Sequence, residues 1–176
     1  MSSSGHQRPP DEQGSAAGRR TRLVTDAMLG SLTRKLRAFG FDVVYHESGG
    51  DEGIMRMARK EGRVILTSDR ELYARASSAA VPALLVEGKT EGRRIRSLLV
   101  AAKSAGIALE RGPPLCSMCG GGLLILTAAE AAPFVPGSVR ERHRKFHRCV
   151  RCGQLYWRGS HWKKLSNLER AFGHRP

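Results

Sequence analysis

Short apolar runs alternate with amphipathic stretches through the first part of the chain. The apolar runs predict four buried strands, at residues 23–25, 41–46, 64–67 and 81–86. After each strand, apolar residues recur three or four positions apart, which predicts a helix; the fourth helix spans about 93–105. Strands that alternate with helices indicate right-handed βαβ units. We therefore predict an α/β domain over residues 21–112, with a small parallel sheet flanked by helices.

A second region follows the sequence Gly112-Pro113-Pro114, which marks a domain boundary. Residues 113–170 are predicted to contain a short strand at 123–126, another at 153–157, and a terminal helix after a basic segment. Residues 1–20 contain no aliphatic residue larger than alanine after the first methionine, so we expect a disordered tail. Because no signal peptide and no apolar run of about 18 residues is present, we expect a soluble, cytoplasmic protein without a membrane partner.

The charge of the chain is high and unevenly distributed. The formal net charge is +14, and most of the 30 basic residues are arginine, whose planar guanidinium suits phosphate. The segment from Arg140 to Lys164 is strongly basic and contains a single acid, Glu141. A solvated basic surface is the simplest interpretation, but this concentration of charge favours a polyanion as the partner.

Three aspartates lie at junctions between the predicted strands and helices. Asp26 follows the first strand, Asp51 follows the second after a Ser-Gly-Gly turn, and Asp69 follows the third. Carboxylates that converge from separate loops can hold Mg²⁺ or Mn²⁺, which assists phosphodiester hydrolysis. Each aspartate could instead cap its helix, and convergence requires the strands before Asp26 and Asp69 to be close. We predict a metal site at the three aspartates, with Glu52 and Glu71 as further candidates.

All four cysteines fall into two C-x-x-C pairs, Cys116 with Cys119 and Cys149 with Cys152. Two such pairs supply four thiolates for a closed tetrahedral site, so we predict a structural zinc ion. His147 is a competing ligand that the four thiolates make unnecessary. Because the metal would fold a short polar segment, its loss is expected to unfold residues 116–162 and to leave the first domain folded.

Arginine and aromatic side chains near the cysteines are candidates for contact with RNA. The predicted contact residues are Arg142, Arg144, Arg148, Arg151, Trp157 and Arg158. Guanidinium groups pair with phosphates, and aromatic rings stack on bases. Trp162 is a further candidate for stacking on bases. Phe146 and Tyr156 could either stack on bases or form the small core of this region.

Three stretches of sequence, taken in order, carry a resemblance to a known family. They are VTDAMLGSLTRKLRAFGFDVVY, DEGIMRMARKEGRVILTSDREL and CVRCGQLYWRGSHW. Over about residues 22–168 the chain resembles the Mut-seven C-terminal ribonuclease family, whose members have a PIN-like nuclease domain followed by a zinc ribbon. The family's acids match Asp26, Asp51 and Asp69, and its zinc ligands match the four cysteines. Gly53 and Ser68 depart from the residues usual in the family.

The resemblance implies a metal-dependent ribonuclease that hydrolyses RNA phosphodiester bonds with Mg²⁺ or Mn²⁺, while the zinc ribbon contributes to RNA binding. The resemblance leaves open whether the chain forms a homodimer, because PIN-like domains often dimerise. It also leaves open whether the chain contacts a ribonucleoprotein. The alternative function is a non-catalytic module that binds RNA or a ribonucleoprotein on a degenerate nuclease fold. A phosphatase with an aspartyl nucleophile is a weaker interpretation, since it would usually need a second aspartate where the chain has Met28.

Overall fold

The fold is described from a computed structural model, which covers residues 20–159 and 162–173, without the side chains of residues 162 and 163. The predicted disordered tail lies outside these residues, apart from Arg20. The side chain of Trp162, a predicted stacking residue, is also outside them.

The first part of the chain forms a four-stranded parallel sheet with helices between the strands. The strands are β1 (Arg22–Thr25), β2 (Asp42–Tyr45), β3 (Arg63–Thr67) and β4 (Ala83–Leu85). A 3₁₀ turn (Ala27–Leu29) precedes α1 (Gly30–Ala38), and α2 (Gly50–Glu61), α3 (Arg70–Ser78) and α4 (Glu91–Ser104) follow the other strands. The predicted α/β class and parallel sheet are confirmed. Within the described residues, no helix combines the length and apolarity needed to cross a membrane.

Apolar side chains cover both faces of this sheet. On β1, Leu23 packs into a cluster formed largely by α1 and α4, whereas its neighbour Val24 packs into a second cluster formed by α2 and α3. This division follows from strand geometry, because successive side chains point to opposite faces. Strand β3 is buried along its whole length, as expected of a parallel strand covered on both faces.

The order of the strands determines where the acidic residues lie. The sheet runs β2-β1-β3-β4, so β1 and β3 are hydrogen-bonded neighbours with Thr25 opposite Leu66. Because the two strands are parallel, their carboxyl ends lie at the same edge, where open α/β sheets form their clefts. Asp26 and Asp69, which follow these strands, are therefore brought to one edge of the sheet.

The second part of the chain contains a small antiparallel sheet. Its strands, in spatial order, are β5 (Leu123–Thr127), β6 (Lys145–Cys149) and β7 (Leu155–Trp157), and a short helix, α5 (Gly137–Arg142), precedes β6. Strand β6 falls in the basic segment, where the sequence predicted no strand. On one face of the sheet, Phe146 of β6 packs with Ala131 and Val135 in a small core. Phe146 is thus a core residue.

The terminal helix packs against the α/β domain. This helix, α6 (Trp162–Glu169), is followed by a second 3₁₀ turn (Arg170–Phe172), and Phe172 lies against Phe39 and Phe41 with ring centroids 5.8 and 5.0 Å apart. Arg111 donates a hydrogen bond of 2.7 Å to the carbonyl of Gly173. The sequence placed this helix with the cysteine region, but its apolar side chains cover the α/β core.

Candidate functional site

Asp26 lies directly after β1 and is held by two hydrogen bonds. Its Oδ1 accepts from the backbone N–H of Met28 at 2.9 Å, so the residue caps the 3₁₀ turn. Its Oδ2 accepts from the hydroxyl of Thr67, the last residue of β3. The carboxylate is only partly buried, which leaves it accessible from the edge of the sheet.

Asp69 is joined to Asp26 through the same threonine. The Thr67 hydroxyl donates to Asp26 and accepts from the backbone N–H of Asp69 at 2.9 Å. Asp69 caps α3, since its Oδ1 accepts from the N–H groups of Glu71 and Leu72 at 2.7 and 3.3 Å. One buried hydroxyl therefore connects two predicted site residues. This role of Thr67 was not predicted from the sequence, although the residue lies only two positions before Asp69.

Replacing Thr67 with valine tests this link. Valine keeps the shape of the side chain but removes the hydroxyl, so the Asp26 carboxylate and the Asp69 N–H each lose a partner. We expect the free energy of unfolding to fall by about 1–3 kcal/mol, as measured by urea denaturation. Thr67→Ser is the control, since it retains the hydroxyl and removes one methyl group, worth about 0.8 kcal/mol. Equal stability of the two variants would contradict the role of the hydroxyl.

Asp51 occupies a different position from the other two aspartates. Helix α2 begins at Gly50 and is capped by Gly49, so Asp51 lies in its first turn and does not cap it. Its Oδ2 accepts from Nη1 of Arg75 on α3 at 2.9 Å, and Nη2 of Arg75 donates to Glu52 at 2.9 Å. The structure thus brings Asp26 and Asp69 to one threonine, and it holds Asp51 and Glu52 together at Arg75.

His46 was not singled out in the sequence, yet it accounts for the glycine at position 53. It follows β2 at the same edge of the sheet, and its Nε2 is buried without a hydrogen-bond partner among the described residues. A Cβ atom at Gly53 would lie 2.7 Å from this nitrogen, closer than real Cβ atoms approach. Glycine at position 53 therefore makes room for the imidazole against the first turn of α2.

The four cysteines converge as predicted. Their sulfur atoms all lie within 4.8 Å of one another, and within the described parts of the chain no other group of three or more His, Cys, Asp or Glu ligand atoms does so. Cys116 and Cys119 precede β5, while Cys149 ends β6 and Cys152 lies in the turn before β7. His147 is outside the cluster. Four thiolates at this separation could bind a zinc ion.

The electrostatics of the four thiols also suit a cation. Burial raises the pKa of Cys116, but hydrogen bonds from the Tyr156 hydroxyl and the backbone of Cys119 outweigh it and lower that pKa to about 6. The backbone of Gln154 favours the Cys152 thiolate, yet burial and the other three thiols raise its pKa to about 12. Thiolates this close repel one another. A bound divalent cation would remove that repulsion and allow all four to ionise.

The predicted RNA contacts differ in their accessibility. Arg142, Arg144, Arg151 and Arg158 are exposed, and Trp157 is 41% exposed on β7. Arg148 is half-buried, with its guanidinium carbon 4.2 Å from the centroid of the Phe134 ring. Arg151 donates to the carbonyl of Cys119 at 3.0 Å, so it also braces the cysteine cluster.

Comparison with known protein families gives a match to the Mut7-C RNAse domain over residues 21–168. The matched range contains the three aspartates and all four cysteines. A search of curated proteins and a search of solved structures each found no match. The match confirms the resemblance seen in the sequence, and it implies a ribonuclease-like function. The chain therefore belongs to the Mut7-C RNAse domain family.

Proposed function

We propose that the protein is a metal-dependent ribonuclease that hydrolyses RNA phosphodiester bonds through a PIN-like domain. Asp26, Asp51 and Asp69 would hold Mg²⁺ or Mn²⁺, and the four cysteines would hold a structural zinc ion in a zinc ribbon that helps to bind RNA. The observation that carries this proposal is the placement of Asp26 and Asp69 on either side of one threonine hydroxyl, at the carboxyl ends of adjacent parallel strands.

The donor chemistry at this edge fits a hard divalent cation. Carboxylate oxygens are the ligands that Mg²⁺ and Mn²⁺ prefer. Among the described residues, Asp69 uses only Oδ1 for capping, so its Oδ2 accepts no hydrogen bond and can face a ligand. When bound, the ion would activate water and neutralise charge on the phosphate.

Arg75 controls how Asp51 could take part. Its guanidinium forms ion pairs with Asp51 and Glu52, each with an N–O distance of 2.9 Å. The Arg75 side chain is about half-exposed. Asp51 can bind the metal only if its carboxylate contacts the metal and Arg75 together, or if its ion pair with Arg75 breaks. Glu52 and Glu71 are the candidates for a further carboxylate, and Glu71 is exposed in the first turn of α3, two positions after Asp69.

Cleavage of a mixed RNA pool tests the proposal directly. Purified zinc-containing protein is incubated with RNA in the presence of Mn²⁺, or without added divalent cation, and the product ends are sequenced and chemically typed. Attack by water needs no 2′-hydroxyl, so we expect metal-dependent fragments without 2′,3′-cyclic phosphates. Fragments with cyclic phosphates, formed equally without metal, would indicate a contaminating nuclease that uses the 2′-hydroxyl.

The second candidate is a non-catalytic module that binds RNA or a ribonucleoprotein. The exposed arginines of the basic segment favour it as much as they favour the nuclease, since both functions need phosphate contacts. The same reaction separates the two functions. RNA that is bound tightly but left intact at every Mn²⁺ and Mg²⁺ concentration would support the binding module and exclude the nuclease.

A further inference from the structure

Arg37, near the end of α1, connects the α/β domain to the cysteine cluster. The residue is 7% exposed. Its Nε donates to the carbonyl of Val43 on β2 at 2.8 Å, and its Nη1 donates to the carbonyls of Met118 and Ser117 at 2.7 and 3.4 Å. Both of those carbonyls belong to the turn between Cys116 and Cys119. One guanidinium is thus shared by a helix, a strand and the first metal-binding turn.

The backbone around Arg37 reinforces this connection. Its carbonyl accepts from the N–H of Leu115 at 2.9 Å, directly before Cys116. Gly120, which directly follows Cys119, has a φ of +74°, and a Cβ there would lie 3.3 Å from Nε of Arg37. The turn that holds the first two cysteines therefore closes around the arginine.

The charge of Arg37 has no carboxylate partner in the described part of the chain, because none lies within 4.0 Å of its guanidinium. The guanidinium lies instead against the turn that carries Cys116 and Cys119. Burial lowers the pKa of Arg37, and the negative charges of Cys119 and Cys116 oppose that effect. A buried cation is costly unless an opposite charge compensates it. Four thiolates around a zinc ion carry a net negative charge, which compensates this guanidinium.

We propose that Arg37 is the counter-ion of the metal–thiolate centre, and that it couples zinc binding to the packing of α1 on β2. Zinc removal then loosens α1 and β2 together with the cysteine region. This consequence differs from the independence of the two regions that the sequence predicted. The inference rests on zinc binding by the four cysteines, and that premise is checked separately by elemental analysis of the purified protein.

Hydrogen–deuterium exchange before and after chelation of zinc under reducing conditions measures the coupling. In the parent protein, chelation is expected to speed exchange in peptides covering residues 30–45 by about tenfold or more, as well as in residues 116–157. In Arg37→Met, exchange in residues 30–45 should no longer respond to zinc. Unchanged exchange in residues 30–45 of the parent would overturn the proposal, and this parent measurement decides the matter even if no Arg37 variant folds.

Zinc affinity, measured by competition with a chromogenic chelator, gives a second readout. Arg34→Met is the matched control, because Arg34 is exposed one turn earlier on the same helix and its loss changes the net charge equally. We expect Arg37→Met to bind Zn²⁺ about 10- to 100-fold more weakly than Arg34→Met, as when other contacts behind metal ligands are removed. Arg37→Lys, which keeps the charge but loses the two-sided guanidinium contact, should fall between them. Equal affinities for Arg37→Met and Arg34→Met would overturn the proposal.

Discussion

Replacing Asp26 or Asp69 with asparagine is expected to abolish RNA cleavage while changing the stability of the metal-free protein very little. Asparagine caps helices about as well as aspartate, so the bonds to Met28 and Glu71 can persist. At position 26 the amide N–H of asparagine can donate to the Thr67 hydroxyl, which keeps that contact with its direction reversed. Loss of the charge weakens the favourable interaction with the α3 dipole by about 0.3–1 kcal/mol, but it also relieves repulsion between the two carboxylates. The free energy of unfolding should therefore stay within about 1 kcal/mol of the parent value.

Activity and metal-dependent stability should respond far more strongly. If the carboxylates supply about 4 kcal/mol of transition-state stabilisation through the metal, cleavage falls about 1000-fold. The parent should gain about 2.7 kcal/mol of stability when Mn²⁺ is present at 100 times its dissociation constant, and the variants should gain none. Urea unfolding with and without Mn²⁺, beside one cleavage assay, measures both effects. Glu110→Gln, at an exposed acid after α4, is the control.

The opposite result has a clear meaning. If Asp26 and Asp69 serve only as caps, both asparagine variants retain cleavage, and Mn²⁺ stabilises them as much as the parent. That outcome would remove the carboxylate–metal mechanism, but it would leave membership of the family and the coupling through Arg37 untouched.

The α/β architecture could be predicted because local sequence determines most of it. Strand β3 is buried at all five positions, and its apolar run at residues 64–66 is typical of a parallel strand covered on both faces. Gly62, with a φ of +61°, ends α2, because glycine adopts this left-handed conformation without steric cost. The sequence also placed acids after the first and third strands, which the sheet order brings side by side.

Strand β6 could not be predicted because its sequence, KFHRC, lacks an alternation of apolar and polar residues. Phe146 is its single buried apolar side chain apart from Cys149, and charged residues occupy other positions. The strand is defined instead by pairing with β5 and β7, and by the turn that holds the second pair of cysteines. Local propensity is a weak guide where a cysteine cluster and cross-strand partners determine the backbone.

The contacts that organise the candidate site could not be predicted from the local sequence either. Thr67 and Asp26 are 41 positions apart, and Arg75 and Asp51 are 24 apart. No periodicity connects such pairs, since their contact depends on which strands and helices become neighbours. Arg37 is the strongest example, because a basic residue on an amphipathic helix predicts solvent exposure, yet this one is buried against the cysteine cluster.

Replacing Arg142 and Arg144 together with glutamine is expected to weaken RNA binding and to reduce its salt dependence. Both residues are exposed around the end of α5 and the start of β6, so the change should leave the fold intact. Arg148 is less suitable, because its guanidinium packs over Phe134 and its loss would also disturb packing. For single-stranded RNA, each lost phosphate contact lowers the slope of log affinity against log salt by about 0.7, so two lower it by about 1.4.

The control must remove the same charge elsewhere. Arg93 and Arg96 are exposed on α4 of the α/β domain, and replacing both with glutamine changes the net charge equally. Filter binding at several salt concentrations compares the two pairs in an Asp69→Asn background, which we expect to be inactive and therefore to leave the RNA intact. If RNA lies along the basic segment, the Arg142 and Arg144 pair loses affinity and slope, while the α4 pair loses little. Equal losses would mean that net charge, and not this segment, governs binding.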